Sequence, residues 1–171
     1  MNQSTPDNVG GTIRLDGFVR IEGVWDVVVT RADGRVERKT LENIVTAAGL
    51  NRLANRAISA TVGTPWYILG VGTVTAAASL DSTNFGEVSR KAAATVVQSR
   101  EWFALTMTWA GNADSLTGIA LDSAAILCHA NSGQGAVCNI VNSLNTTLAA
   151  SDFLNLTARV RVGSHDLAHS T

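Results

Sequence analysis

From Leu154 to Val162 apolar and polar residues alternate without interruption. Leu154, Leu156, Ala158, Val160 and Val162 fall on one side, Asn155, Thr157, Arg159 and Arg161 on the other. Successive side chains of an extended chain point to opposite faces, so a period of two marks a β-strand with one face in a core and one in water. The same period recurs toward the N-terminus. Ile13, Leu15, Val19 and Ile21 predict one strand, with Gly17 as a bulge or bend, and Trp25, Val27 and Val29 predict a second. Asp33-Gly34 then predicts a hairpin with a type I′ turn, whose two central residues need positive φ. The return strand is expected over about 35–41, with Arg35, Glu37 and Lys39 on one face. Trp66-Tyr67-Ile68-Leu69 reads as a short buried strand. Further strands are predicted over about 91–99, 101–110, 117–121, 124–129 and 136–141, separated by turn residues such as Gly111-Asn112 and Asn131-Ser132-Gly133-Gln134-Gly135.

One segment breaks this rhythm. Ala47, Leu50, Leu53, Ala54, Ala57 and Ile58 recur at helical spacing, and Thr46 before them is a good N-cap. Gly49 is an unfavourable helix residue in the first turn. Many short strands and one helix predict a mostly β fold: an antiparallel β-sandwich, jelly-roll-like, with one short α-helix at about 47–58. A single domain is expected over 12–163, between a flexible N-terminal arm at 1–11 and a C-terminal tail at 164–171.

The chain has 171 residues, enough for one core, and is 46% hydrophobic but only 16% charged. That is too apolar for a disordered chain, and a surface short of charge is often one covered by neighbours. The net charge of −1 provides no basic field for nucleic acid. The basic residues are nearly all Arg, with Lys only at Lys39 and Lys91. Arginine suits interfacial ion pairs, and a GC-rich genome gives the same bias. The polar start of the chain does not read as a signal peptide, and no apolar run approaches a membrane span. The expectation is a protein made in the cytoplasm, with no membrane or nucleic-acid partner.

Candidate chemical groups do not cluster. Cys128 and Cys138 lie symmetrically about Gly133. A symmetric hairpin would place them opposite each other, as a cross-strand disulfide or as two small buried thiols. His129 points away from Cys128 on an extended strand, so the three do not converge as a zinc site. His165 and His169 lie in the short tail. No Gly-x-Ser-x-Gly elbow and no close carboxylate pair on a strand end suggests hydrolysis. Trp25, Trp66, Trp102 and Trp109 all lie in strand patterns, where core packing is the default and stacking on a sugar is the alternative. No catalytic residue, cofactor or metal is therefore expected.

The order of segments carries a resemblance. A hairpin strand precedes LENIVTAAGLNRLANRA, followed by WYILGVGTVTAAASLDSTNFGEVSRKAA, two strands, LTGIALDSAAILCHANSGQGAVCNIVNSL and the alternating last strand. Over about 36–162 this resembles tailed-bacteriophage virion proteins, including the N-terminal attachment region of tail-collar fibres. The matching residues are Leu69, Gly70, Gly72 and Thr73, then Glu87, Val88 and Arg90. The resemblance implies a non-enzymatic structural subunit in the virion, partnered by itself, as a homotrimer, and by other phage virion proteins. In such fibres a shaft would follow. Here the chain stops soon after the last strand, which fits a stand-alone collar, neck, tail-tip or capsid-decoration subunit.

Within the matched segment, Gly70 and Gly72 are expected to let the chain turn after a buried strand. A phosphate-cradling loop would need a helix after it, and none is predicted. Glu87 and Arg90 are expected to pair across a turn or a subunit boundary, or as a solvated surface pair worth under about 1 kcal/mol. Loops 73–86 and 111–116 and the arm would contact neighbours. The alternative function is a carbohydrate-binding module on the virion, in which a tryptophan would be exposed beside polar groups.

Overall fold

The computed structural model describes residues 19–58, 68–79, 81–99, 102–134 and 136–164, with backbone alone over 19–22, 53–58 and 162–164. The expected arm at 1–11, the pattern at Ile13 and Leu15, Gly17, Trp66, Tyr67 and the tail beyond Ser164 lie outside the described residues.

Among the described residues, ten strands and one helix follow in the order β1 (Val19–Thr30), β2 (Val36–Glu42), β3 (Ile44–Val45), α1 (Ala47–Ile58), β4 (Ile68–Gly72), β5 (Glu87–Ala92), β6 (Thr95–Gln98), β7 (Trp102–Ala110), β8 (Ala120–Leu127), β9 (Val137–Thr147) and β10 (Phe153–Ser164). They form two five-stranded sheets, β2-β1-β10-β7-β6 and β3-β9-β8-β4-β5, with every ladder between named strands antiparallel. The fold is the expected β-sandwich with one short helix.

Alternation builds the first sheet. Trp25, Val27 and Val29 of β1 lie beside Ala158, Leu156 and Leu154 of β10, which in turn lie beside Leu105, Met107 and Trp109 of β7. These inner side chains meet Leu69, Val71, Leu121, Ala124, Ile126, Val141 and Leu144 of the second sheet and its loops in one core. The indole N–H of the buried Trp25 donates to Asn139 Oδ1 at 2.9 Å, a polar link from one sheet to the other.

In the second sheet the central strands β4 and β8 are buried on both faces. The sheet's outer face carries a smaller core of Ile68, Phe85, Ala125, Leu127, Val137 and Ile140. A strand covered on both sides has no reason to alternate. That explains one correction: 117–121 and 124–129 are not two strands. β8 runs through Asp122 and Ser123, and Thr117 makes only an isolated bridge to Leu148. The two polar residues that resemble a break are buried and bonded, Asp122 Oδ1 accepting from Asn145 N at 3.2 Å and Ser123 Oγ donating to Phe85 O at 2.6 Å.

Other boundaries move for similar reasons. The single strand β1 replaces the predicted pair at its end of the chain, so far as the residues are described. The segment 91–99 is divided between β5 in one sheet and β6 in the other, with the crossing at Ala93-Ala94, whose small side chains leave no pattern. The hairpin at Asp33-Gly34 forms, but only Gly34 has positive φ, at 86°. Arg31 O accepts from Gly34 N at 2.9 Å and Arg31 N donates to Arg35 O at 2.8 Å. This is a type I turn closed by a left-handed glycine, not type I′.

Helix α1 starts as expected. Thr46 Oγ1 accepts from Gly49 N at 3.1 Å, the N-cap bond. Gly49 is there for packing: a Cβ at this position would fall 2.0 Å from the carbonyl oxygen of Cys138. The helix can lie against β9 only if that position lacks a side chain.

Candidate functional site

Gly70 and Gly72 do not turn the chain. Both lie inside β4 and are fully covered. A Cβ on Gly70 would meet Phe85 Cζ at 2.8 Å, and one on Gly72 would meet the Phe85 carbonyl oxygen at 2.0 Å. The glycines admit the segment around Phe85, which folds back over the sheet and caps its outer core. Loop 73–86 is thus partly a lid on the protein's own sheet, held by Thr73 N to Gly86 O at 3.1 Å and Val74 N to Phe85 O at 3.3 Å.

Glu87 and Arg90 are brought together by a bulge. Gly72 pairs with Glu87 and Val71 with Ser89, so Val88 is skipped and two residues three apart fall on one face. Arg90 Nε donates to Glu87 Oε1 at 2.5 Å, and Arg90 Nη2 donates to Glu87 Oε2. The side chains are only 6% and 14% exposed, for Arg90 and Glu87 respectively, which rules out the solvated surface pair. Arg90 Nη1 also donates to the carbonyls of His129 (2.6 Å) and Gln134 (2.9 Å). Glu87 accepts from Ser132 Oγ (2.9 Å) and Gly133 N (3.2 Å). The pair fastens the β8–β9 turn to β5 within one subunit. The Arg90 guanidinium, with the Ser132 and Gly133 donors, holds the Glu87 carboxyl below its usual range.

Cys128 and Cys138 are buried free thiols. The register slips between Ile126 and Leu127, so Leu127 pairs with Val137 and Cys128 N donates to Ala136 O at 3.3 Å. Ala136, not Cys138, stands opposite Cys128, because the hairpin is not symmetric about Gly133. Burial, and then the neighbouring Cys128, push the Cys138 thiol up to about 12. His129 Nδ1 accepts from Asn131 N at 3.0 Å, inside the turn. No cluster of three or more metal-ligating side chains occurs among the described residues.

A second polar staple was not read from the sequence. Arg31 at the end of β1 bonds both oxygens of Glu37 (3.0 and 2.9 Å), Asp152 Oδ2 (2.9 Å) and the Thr147 carbonyl (2.7 Å). Asp152 also accepts from Ala32 N and Ala149 N, each at 3.0 Å. Its carboxyl is held below the usual range by the Ala149 N–H first and by Arg31 next. The available signal was the short Ala149-Ala150-Ser151-Asp152 turn between two strand patterns, a place where Asp caps backbone N–H groups.

Exposed large apolar side chains among the described residues are Val36 and Phe153 near Arg31, Leu50 on α1, Val88 on β5, and Val96, Val97 and Trp102 at the other end of the first sheet. Trp25 and Trp109 are fully buried, but Trp102 is 39% exposed. It stands opposite Arg161 on β10, near Arg159, which pairs across the strands with Val24 and Ala104. Val24, Trp102, Arg159, Val160 and Arg161 line a shallow cleft of about 340 Å³. Beside it the edge strand β6 leaves Val96 57% and Val97 46% exposed. No protein-family model, no curated protein and no solved structure matches this chain.

Proposed function

We propose that this chain is a non-enzymatic structural component of a tailed-phage particle, a collar, neck, fibre-base or capsid-decoration subunit that works by assembly with copies of itself and with other virion proteins. The observation that supports this is the open edge strand β6, where Val96 and Val97, with Trp102 at the start of β7, face solvent on a protein with few charges. Exposed apolar side chains on an open edge strand mark a place where another chain binds. The virion setting and the three-fold number come from the resemblance of residues 36–162 alone. The test is mass spectrometry of particles purified by density gradient from a lysate in which the protein is expressed. The protein is expected at a fixed copy number per particle; its absence from washed particles overturns the reading.

Trp102 favours one second reading, a carbohydrate-binding module. An indole with arginines around a shallow cleft is a surface on which a sugar ring can stack and be hydrogen-bonded. A glycan array probed with the wild type and with Trp102→Ala checks it: signals lost in the variant support the site, and no signal from either protein removes it.

A further inference from the structure

Each sheet of the sandwich has two edges, and three of the four are protected. β2 carries Glu37, Arg38, Lys39 and Glu42. β3 has only two residues and runs directly into α1. β5 contains the bulge at Val88 and carries Glu87, Arg90 and Lys91. Charge, shortness and bulges are the usual ways of blocking an edge against further pairing. β6 is short as well, at four residues, but it carries no charged residue and no register shift interrupts its pairing. It reads Thr95-Val96-Val97-Gln98, is exposed throughout, and pairs with β7 in unbroken register.

The unused hydrogen bonds of β6 can be assigned. Ser99 N donates to Trp102 O at 2.8 Å, which makes Ser99 and Trp102 a hydrogen-bonded pair. Alternation along an antiparallel ladder then makes Val97–Ala104 and Thr95–Thr106 hydrogen-bonded pairs as well. The N–H and C=O groups of Val96 and Gln98 are left pointing away from the sheet.

We infer that β6 pairs with β6 of a second copy of this chain, antiparallel about a two-fold axis through Val97. This rests on the assembly reading above and names a two-fold contact distinct from the three-fold one that the resemblance implies, joining two subunits or two trimers pairwise. In that register Val96 of one copy exchanges both backbone bonds with Gln98 of the other, and the reverse, giving four inter-subunit hydrogen bonds. Val97 meets its own copy as a non-hydrogen-bonded pair, where side chains are closest. A two-fold interface brings every residue on the axis against itself. A charged strand would therefore repel its copy, and this uncharged one does not. The two first sheets become one continuous sheet, and the apolar surface at Val96 and Val97 is covered.

The experiment is sedimentation velocity of the full chain over a range of concentrations, with three variants checked for folding by circular dichroism. Gln98→Pro removes an outward N–H and leaves the β6–β7 bonds intact. Val97→Lys and Val97→Glu each set like charges together at the axis. The wild type is expected to dimerise or to link larger assemblies pairwise, and each variant to weaken that step on the order of tenfold or more. Mixing V97K with V97E is expected to restore it, because only two-fold pairing puts position 97 against itself. A wild type that stays monomeric, or an assembly unchanged in all three variants, overturns the β6 pairing. Detection of the protein in purified particles decides the assembly reading separately.

Discussion

Glu87 and Arg90 show how much one skipped residue changes. In an unbroken strand, side chains three apart point to opposite faces. The bulge at Val88 places these two together, nearly covered and clamped on the β8–β9 turn. Removing one partner leaves the other charge without compensation in a largely covered site. Glu87→Gln is expected to cost about 3 kcal/mol in denaturant unfolding, and Glu87→Met with Arg90→Met together to cost less than that single change. The pH dependence follows from the depressed carboxyl. The unfolded chain binds the proton more readily than the folded one, so the contribution is fully present above the unfolded pKa of about 4.3 and is lost as pH falls through the lower folded value. Thermal melts between about pH 2 and pH 7 are expected to show a shallower acid decline for E87Q than for the wild type. The cysteines give another residue-scale outcome. With Cys128 and Cys138 buried and unbonded, iodoacetamide at neutral pH is expected to label them only on unfolding, and reductant to leave the melting temperature unchanged.

At the scale of elements, two glycines decide packing that no periodicity reveals. Gly49 is a poor helix residue, and Gly49→Ala gains about 1 kcal/mol of intrinsic helix propensity. Here its Cβ would overlap the Cys138 carbonyl, which is backbone and cannot rotate away. The substitution is expected to destabilise the fold by about 1–3 kcal/mol in chemical denaturation, opposite to its propensity. Gly72→Ala meets the Phe85 carbonyl in the same way, and is expected to loosen loop 73–86, read as faster amide exchange at Val74 and Thr73, whose N–H groups bond that segment. At the opposite end of the first sheet, Asp152→Ala leaves the Ala32 and Ala149 N–H groups and the Arg31 guanidinium without their acceptor. The β1–β2 hairpin is expected to exchange faster while the β8–β9 turn, held by Glu87 and Arg90, stays protected.

Across the whole molecule the two polar staples sit at different turns, one at Arg31 and Asp152, the other at Glu87 and Arg90. Each depends on carboxyls held below their ordinary range, and Glu37 joins them through Arg31. The protein is thus expected to lose stability on the acid side first, below about pH 4, by the same linkage. Differential scanning calorimetry across pH checks this; a melting temperature that is flat down to about pH 2 would contradict it. Polar locks at the turns leave β6 as the uncharged open edge of the first sheet among the described residues, and the pairing proposed there would leave both staples undisturbed.

The residue pattern alone determined the strands that have one wet face. The alternation of β10 and of Trp25, Val27 and Val29, the turn at Gly34 and the helix capped by Thr46 were legible because each is a local choice between core and water, or between allowed and forbidden backbone. What required the tertiary structure was everything set by a second covering layer or by distant pairing. β8 loses its alternation because both its faces are buried. The 91–99 segment divides because its two halves join different sheets, and Cys138 does not stand opposite Cys128 because it is the residue left unpaired where the register shifts. Gly70 and Gly72 are glycine because Phe85, distant along the chain, lies over them. Glu87 finds Arg90 through a bulge, and Arg31 finds Asp152 across most of the chain's length. Such contacts have no period in the sequence, because the partner's position is fixed by the fold and not by spacing along the chain.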